Sequence, residues 1–111
     1  MLTIENLRAF GADVDDGLTR CMNKADFYLM LVGKVLGDER LTMLEQQIGA
    51  HDLDAAFETA HALKGLYANL SLTPLTKPVS EMTELLRSRT DTDYSALLAE
   101  AKAQYAKLCS L

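Results

Sequence analysis

The chain has 111 residues, a hydrophobic content of 49%, two prolines and a formal net charge of −5. These values suit a single helix-rich domain over residues 1–111. They disfavour nucleic acid as a partner, because binding to a phosphate backbone requires a basic face. No apolar run reaches the roughly 18 residues that a membrane-spanning helix requires.

Two short helices are predicted at the N-terminus. Residues 1–10 have apolar side chains at helical spacing, with Thr3 as a suitable N-cap and Gly11 as a residue that ends the helix. Asp15 or Asp16 can cap a second short turn, since an aspartate oxygen accepts a hydrogen bond from the first free backbone N–H groups.

The next segment predicts two longer helices separated by a glycine. Asn23 can cap a helix over residues 24–36, and this helix has apolar residues on more than one side. We therefore expect it to be among the more buried elements. Gly37 marks a break, after which Asp38 can cap a helix over residues 39–48. Gly37 is alternatively a bend within one long helix.

The central helix is predicted to begin after Asp52, whose side chain can act as the N-cap. Its apolar residues recur at alternating steps of three and four, which is the spacing of one buried helix face. This set consists of Leu53, Ala56, Ala60, Leu63, Tyr67 and Leu70. At roughly 100° per residue, His61 lies away from the centre of this stripe and near solvent.

The C-terminal third predicts two more helices. Pro74 suits the first turn of a helix, but Pro78 would lose a backbone hydrogen bond, so this helix either begins near Lys77 or is kinked. It continues to about residue 89, and a last helix covers about residues 94–108. Short links between helices imply antiparallel neighbours. We therefore predict an all-α, up-down helical bundle, with a four-helix core and short N-terminal helices.

Four residues share the side of the central helix that carries His61, namely Phe57, Lys64, Gly65 and Ala68. Glycine inside a helix costs about 1 kcal/mol relative to alanine, so Gly65 needs an explanation. One interpretation is that another molecule approaches His61 closely at this point. The other interpretation is that Gly65 lets a neighbouring helix pack closely.

The segment His61-x-x-Lys64-Gly65, followed by Ala68-Asn69-Leu70, resembles the histidine phosphotransfer (HPt) domain of two-component phosphorelays. Further similar segments lie upstream, at Gly11, Asp16–Arg20, Phe27–Tyr28 and Asp52–Phe57. The chain departs from the family pattern at Leu66 and Tyr67, where small residues are frequent, and at Ser71, where glycine is common.

The resemblance implies that His61 is a phosphoacceptor that relays a phosphoryl group between aspartates of response-regulator receiver domains or of a hybrid sensor kinase. Lys64 would then offset phosphoryl charge, while Gly65 and Ala68 keep the approach clear. The Mg²⁺ is expected in the receiver domain, and no cofactor is expected in this chain. Phe57 is either a docking contact or a core residue at the rim of the bundle, while Tyr67 is expected in the core.

Other chemistries lack support in the sequence. There is no glycine-rich phosphate loop and no kinase motif, so we expect neither ATP binding nor autokinase activity. A hydrolase would need a second catalytic group near His61. His51 is expected in an exposed loop, and Cys21 and Cys109 are expected as reduced thiols.

The start at Met1 favours a free-standing protein, and the absence of a signal peptide favours a cytoplasmic one. We expect the protein to be a monomer. The alternative function is a helical adaptor that binds a receiver domain or kinase without being phosphorylated. The amino-acid composition does not distinguish the phosphoryl relay from the adaptor.

Overall fold

A computed structural model describes residues 1–111 and contains helices and no strands, which confirms the all-α prediction. None of the helices combines the length and the hydrophobicity that a membrane-spanning segment requires. The seven helices are α1 (Ile4–Phe10), α2 (Val14–Arg20), α3 (Ala25–Val35), α4 (Arg40–Gly49), α5 (Leu53–Asn69), α6 (Thr73–Arg87) and α7 (Ser95–Cys109).

The last four helices form the main bundle. Helix α5 packs between α4 and α6, and α7 packs on the other side of α6. Helix α1 contacts α2 and α7, and α2 contacts α3. The links at 50–52 and 70–72 are too short for anything other than a reversal of direction, so consecutive helices run antiparallel. The predicted helical bundle is therefore confirmed.

The core contains 23 buried apolar residues and draws on every helix. Tyr28 of α3 and Tyr67 of α5 are the largest fully buried side chains. Five of the six stripe residues predicted for α5 are buried, and Leu53 is partly buried at the edge of the core. Burial also raises the pKa of Tyr67 well above its ordinary value, so the phenol stays neutral.

Three predicted helix boundaries are confirmed by capping contacts. Thr3 and Asn6 form a reciprocal capping box at the start of α1. Gly11 ends that helix with a φ of 109°, a left-handed conformation that favours glycine. Asp52 accepts a hydrogen bond from the backbone N–H of Ala55 at 3.2 Å, which fixes the start of α5.

Three predicted caps are wrong, and one of them is Asp38, because the N-cap position of α4 is Glu39. The N-cap of α2 is Asp13, and Asp15 and Asp16 lie in the first turn instead, where their charges complement the helix dipole. Asn23 does not cap α3, because it has a φ of 58° and the helix begins only after Lys24. Asparagine tolerates this left-handed conformation, which here turns the chain between α2 and α3.

The break at Gly37 is real, so the alternative of one long helix is wrong. Helix α3 ends at Val35 and α4 begins at Arg40. The Asp38 carboxylate accepts the backbone N–H of Arg40 at 2.9 Å and pairs with its guanidinium at 2.6 Å. The Arg40 contact also holds the pKa of Asp38 below its usual range.

Helix α3 is less buried than expected. Tyr28, Val32 and Val35 face the core, but the side chains of Phe27 and Met30 are 41% and 50% exposed. The apolar residues on the second side of this helix therefore have no covering element within the chain.

Helix α6 begins at Thr73, so the predicted start near Lys77 is wrong. Pro78 lies inside this helix and is buried. An interior proline costs about 3 kcal/mol, whereas burying one Val or Leu side chain stabilises a fold by about 1.5–3 kcal/mol. Leu75 and Val79 are fully buried on either side of Pro78, so tertiary packing outweighs the backbone penalty.

Candidate functional site

His61 lies on the exposed side of α5, nine residues after the Asp52 cap. Its neighbours Ala60 and Leu63 are fully buried and fix the helix against the bundle. At the far end of α5, the buried hydroxyl of Tyr28 donates to the carbonyl of Leu70 at 2.8 Å. The helix that carries the imidazole is therefore held at both ends and along its inner face.

Phe57 supports the His61 ring from one turn earlier in the helix. The two ring centroids are 5.7 Å apart with an interplanar angle of 27°, which is a stacked arrangement. Phe57 is partly buried and packs against the core. Its ring is also in contact with two guanidinium groups, since the Cζ atoms of Arg87 and Arg89 lie 5.1 and 4.8 Å from its centroid.

Lys64 lies one turn after His61 and is engaged by a residue of α6. Its ammonium group donates to Glu84 Oε1 at 3.3 Å. The second carboxylate oxygen of Glu84 accepts from Arg87 Nε at 3.2 Å. Both contacts hold the pKa of Glu84 below its usual range, and the contact with Arg87 has the larger effect.

Gly65 faces open space. A Cβ atom built at this position would have no atom within 4 Å outside its own helix segment. The backbone there is ordinary helix, without the positive φ that favours glycine. The interpretation that Gly65 allows close packing of a neighbouring helix is therefore wrong. Nothing in the folded chain requires a glycine at this position.

Ala68 lies one further turn along and lines a surface groove of about 530 Å³. The groove runs between the start of α2, the end of α5 and the first half of α6, and its walls include Asp16, Ser71, Lys77 and Glu81.

Ser71, one of the departures from the family pattern, is accommodated by a hydrogen bond. It has a φ of 56°, a conformation that favours glycine, and its side chain is buried. Its hydroxyl donates to Asp16 Oδ2 at 2.6 Å. This bond and the contact with Arg20 lower the pKa of Asp16. Leu66, a second departure, is partly buried at the rim of the core.

The structure brings together all five residues that the sequence analysis selected, and adds three from α6 and the turn that follows it. Glu84, Arg87 and Arg89 were not predicted, because their contacts depend on how α6 is aligned against α5. Arg89 also reaches Asp54 at the start of α5, with an Nε–Oδ1 distance of 2.6 Å. The only local signal was the spacing of three residues between Glu84 and Arg87, which favours a pair on one helix face.

His51 lies apart from this cluster, in the exposed link between α4 and α5, with its Nε2 atom 3.4 Å from Asp91 Oδ1. No group of three or more His, Cys, Asp or Glu residues in the chain could hold a metal ion. Cys21 is buried and Cys109 is exposed, and the two do not form a disulfide.

The fold and the site define a class of protein: a helical bundle that presents one supported imidazole on a clear helix face. A family model described as the Hpt domain matches residues 36–110, which includes α4 to α7 and the whole His61 face. The chain therefore belongs to the Hpt domain family, whose members take part in histidine phosphotransfer in two-component phosphorelays. Comparisons with curated proteins and with solved structures gave no match.

Proposed function

We propose that this chain relays a phosphoryl group through His61 between aspartates of response-regulator receiver domains. The observation that supports this proposal best is the open surface at Gly65, one turn beyond an exposed imidazole. A glycine that the fold does not need costs stability, and access for a second active site explains why it is there.

The reaction needs little from this chain beyond a positioned nucleophile. An imidazole nitrogen of His61 attacks the phosphorus of an aspartyl phosphate, and the P–O bond to the aspartate breaks, leaving a free carboxylate. The reverse step passes the phosphoryl group to a second aspartate. The receiver domain would supply Mg²⁺ and most of the charge stabilisation, so no metal or cofactor is proposed for this chain.

Lys64 is the charge that this chain would contribute. It lies on the same helix face as His61, and residues three apart on a helix have Cβ atoms about 5–6 Å apart. A lysine ammonium is a compact charge on a flexible stem, so it can reach a phosphoryl oxygen bound to the neighbouring imidazole. Its role would be to offset charge during transfer.

We assign docking to the surface around the imidazole. Gly65 and Ala68 would lie under the receiver domain, and the exposed edge of Phe57 would form part of the contact. The guanidinium groups of Arg87 and Arg89 lie over the Phe57 ring, and their ion pairs with Glu84 and Asp54 hold this edge in place.

We also propose that residues 1–111 act as one domain. The Hpt match leaves out residues 1–35, but Leu7, Val14 and Tyr28 from this segment are buried in the same core as the rest of the bundle. A core shared in this way favours cooperative unfolding of the whole chain.

The test is a transfer assay with a receiver domain that has been charged by a small phosphodonor. The proposal predicts acid-labile, base-stable label on this chain, and no label on the His61→Gln variant. His51→Gln is the matched control, because it removes the second histidine of the chain, which is exposed in a link, and it should be labelled normally. Binding without label would refute the relay and favour the adaptor function.

A further inference from the structure

We propose that Glu84 is a positioning residue that holds Lys64 while His61 is unmodified and gives it up to the phosphoryl group when His61 is phosphorylated. This inference rests on the proposed function. It concerns how the charge of Lys64 is made available during transfer, and it assigns a role to a carboxylate that lies beside a site for anionic phosphoryl groups.

The first observation is that Lys64 is already paired in the resting structure. Its Nζ atom lies 3.3 Å from Glu84 Oε1, across the contact between α5 and α6. The side chains are 34% and 55% exposed, so water screens the pair and the contact can be broken at low cost.

The second observation is that Glu84 has another partner. Arg87 Nε donates to the opposite carboxylate oxygen at 3.2 Å, from one turn further along α6. If Lys64 leaves, the negative charge of Glu84 remains paired with Arg87. Arg87 is itself held over the Phe57 ring, so the carboxylate stays fixed on α6 and does not follow Lys64.

The phosphoryl group is the stronger competitor for Lys64. It carries between one and two negative charges and three acceptor oxygens, whereas Glu84 carries one charge that Arg87 already shares. Lys64 can turn about its flexible stem from α6 towards the face of its own helix. Lys64 therefore exchanges the Glu84 carboxylate for a phosphoryl oxygen, without movement of the backbone.

Phosphoramidate tests the exchange directly, because it phosphorylates imidazole without a protein partner. The imidazole nitrogen attacks the phosphorus, the P–N bond of the donor breaks, and ammonia leaves with the proton. The initial rate of His61 phosphorylation is followed by ³¹P NMR in four proteins: wild type, Glu84→Gln, Lys64→Ala and the double variant.

Removing the Glu84 charge should free Lys64 and raise the initial rate about two- to fivefold, the range expected for an exposed ion pair. In the Lys64→Ala background the same substitution should have no effect, because there is no lysine to release. Glu100→Gln is the matched control: it removes one charge from an exposed side chain of α7, where the carboxylate accepts a hydrogen bond from Gln104 of the same helix, and it should leave the rate unchanged.

Two outcomes overturn the exchange: an unchanged rate in Glu84→Gln, or a gain that persists without Lys64, which would show simple repulsion of the donor. If Glu84 only stabilises the fold, Glu84→Gln should be phosphorylated at the wild-type rate or more slowly. The same measurement therefore separates this role from the exchange. The series is repeated with the charged receiver domain as donor. Wild-type protein that takes no label from either donor refutes the proposed function itself, whereas labelled wild type with an unaltered Glu84→Gln rate refutes only the exchange.

Discussion

Gly65 offers a substitution that should make the protein more stable and less active. A Cβ atom at this position meets no other part of the chain, and the residue lies within α5 with ordinary helical geometry. Alanine in a helix interior is favoured over glycine by about 1 kcal/mol, and no clash reduces this gain. Gly65→Ala should therefore raise the free energy of unfolding by about 0.5–1 kcal/mol.

The same side chain stands where the receiver domain is proposed to approach His61. Gly65→Ala should slow phosphoryl transfer, and Gly65→Leu should block it, because displacement of reacting atoms by about 1 Å can cost 100-fold in rate. A gain of 1 kcal/mol corresponds to an increase in melting temperature of about 4 °C for a domain of this size. Thermal unfolding and transfer kinetics measured on the same preparations test both effects.

Gly33→Ala is the matched control. Gly33 lies within α3, and a Cβ there also meets nothing within 4 Å. This variant should be stabilised by a similar amount and should transfer at the wild-type rate. If Gly65→Leu transferred as fast as wild type, the access argument would fail. If Gly65→Ala were destabilised, our account of the local structure would be wrong.

Three further predictions concern the site and the core. Lys64→Ala should slow transfer about tenfold or more without abolishing receiver binding, and equal transfer rates would remove Lys64 from the site. Gly17→Ala should destabilise the fold by about 1–3 kcal/mol in urea titrations, because its Cβ would lie 2.6 Å from the Tyr28 ring, whereas Gly37→Ala should not. Burial raises the pKa of Tyr28 to about 12. The unfolded phenol loses its proton first, so stability should fall as pH rises from about 10 to about 12, and Tyr28→Phe should flatten this decline.

The part of the candidate site that lies on α5 was predictable from sequence, because its residues share one helix. Periodicity placed the buried stripe of α5, and the same geometry brought Phe57, Lys64, Gly65 and Ala68 to the side of His61. The errors in the helix caps have a local cause. Several short polar residues compete for each cap, so the sequence alone did not decide between Asp13 and the aspartates that follow it.

Only the tertiary structure decided which residues of α6 reach this face. The partners of Lys64 and Phe57 are 20 or more residues away along the chain, and they depend on the alignment of two packed helices. Packing also decided that α6 continues through Pro78, since burial of neighbouring apolar side chains outweighs the lost backbone hydrogen bond. The sequence by itself placed His61, Lys64 and Gly65 on one helix face, because helical periodicity is a local property. Only the structure showed that the surface at Gly65 is clear. The fold decided which charges surround this face, because contacts between helices are not a local property of the sequence.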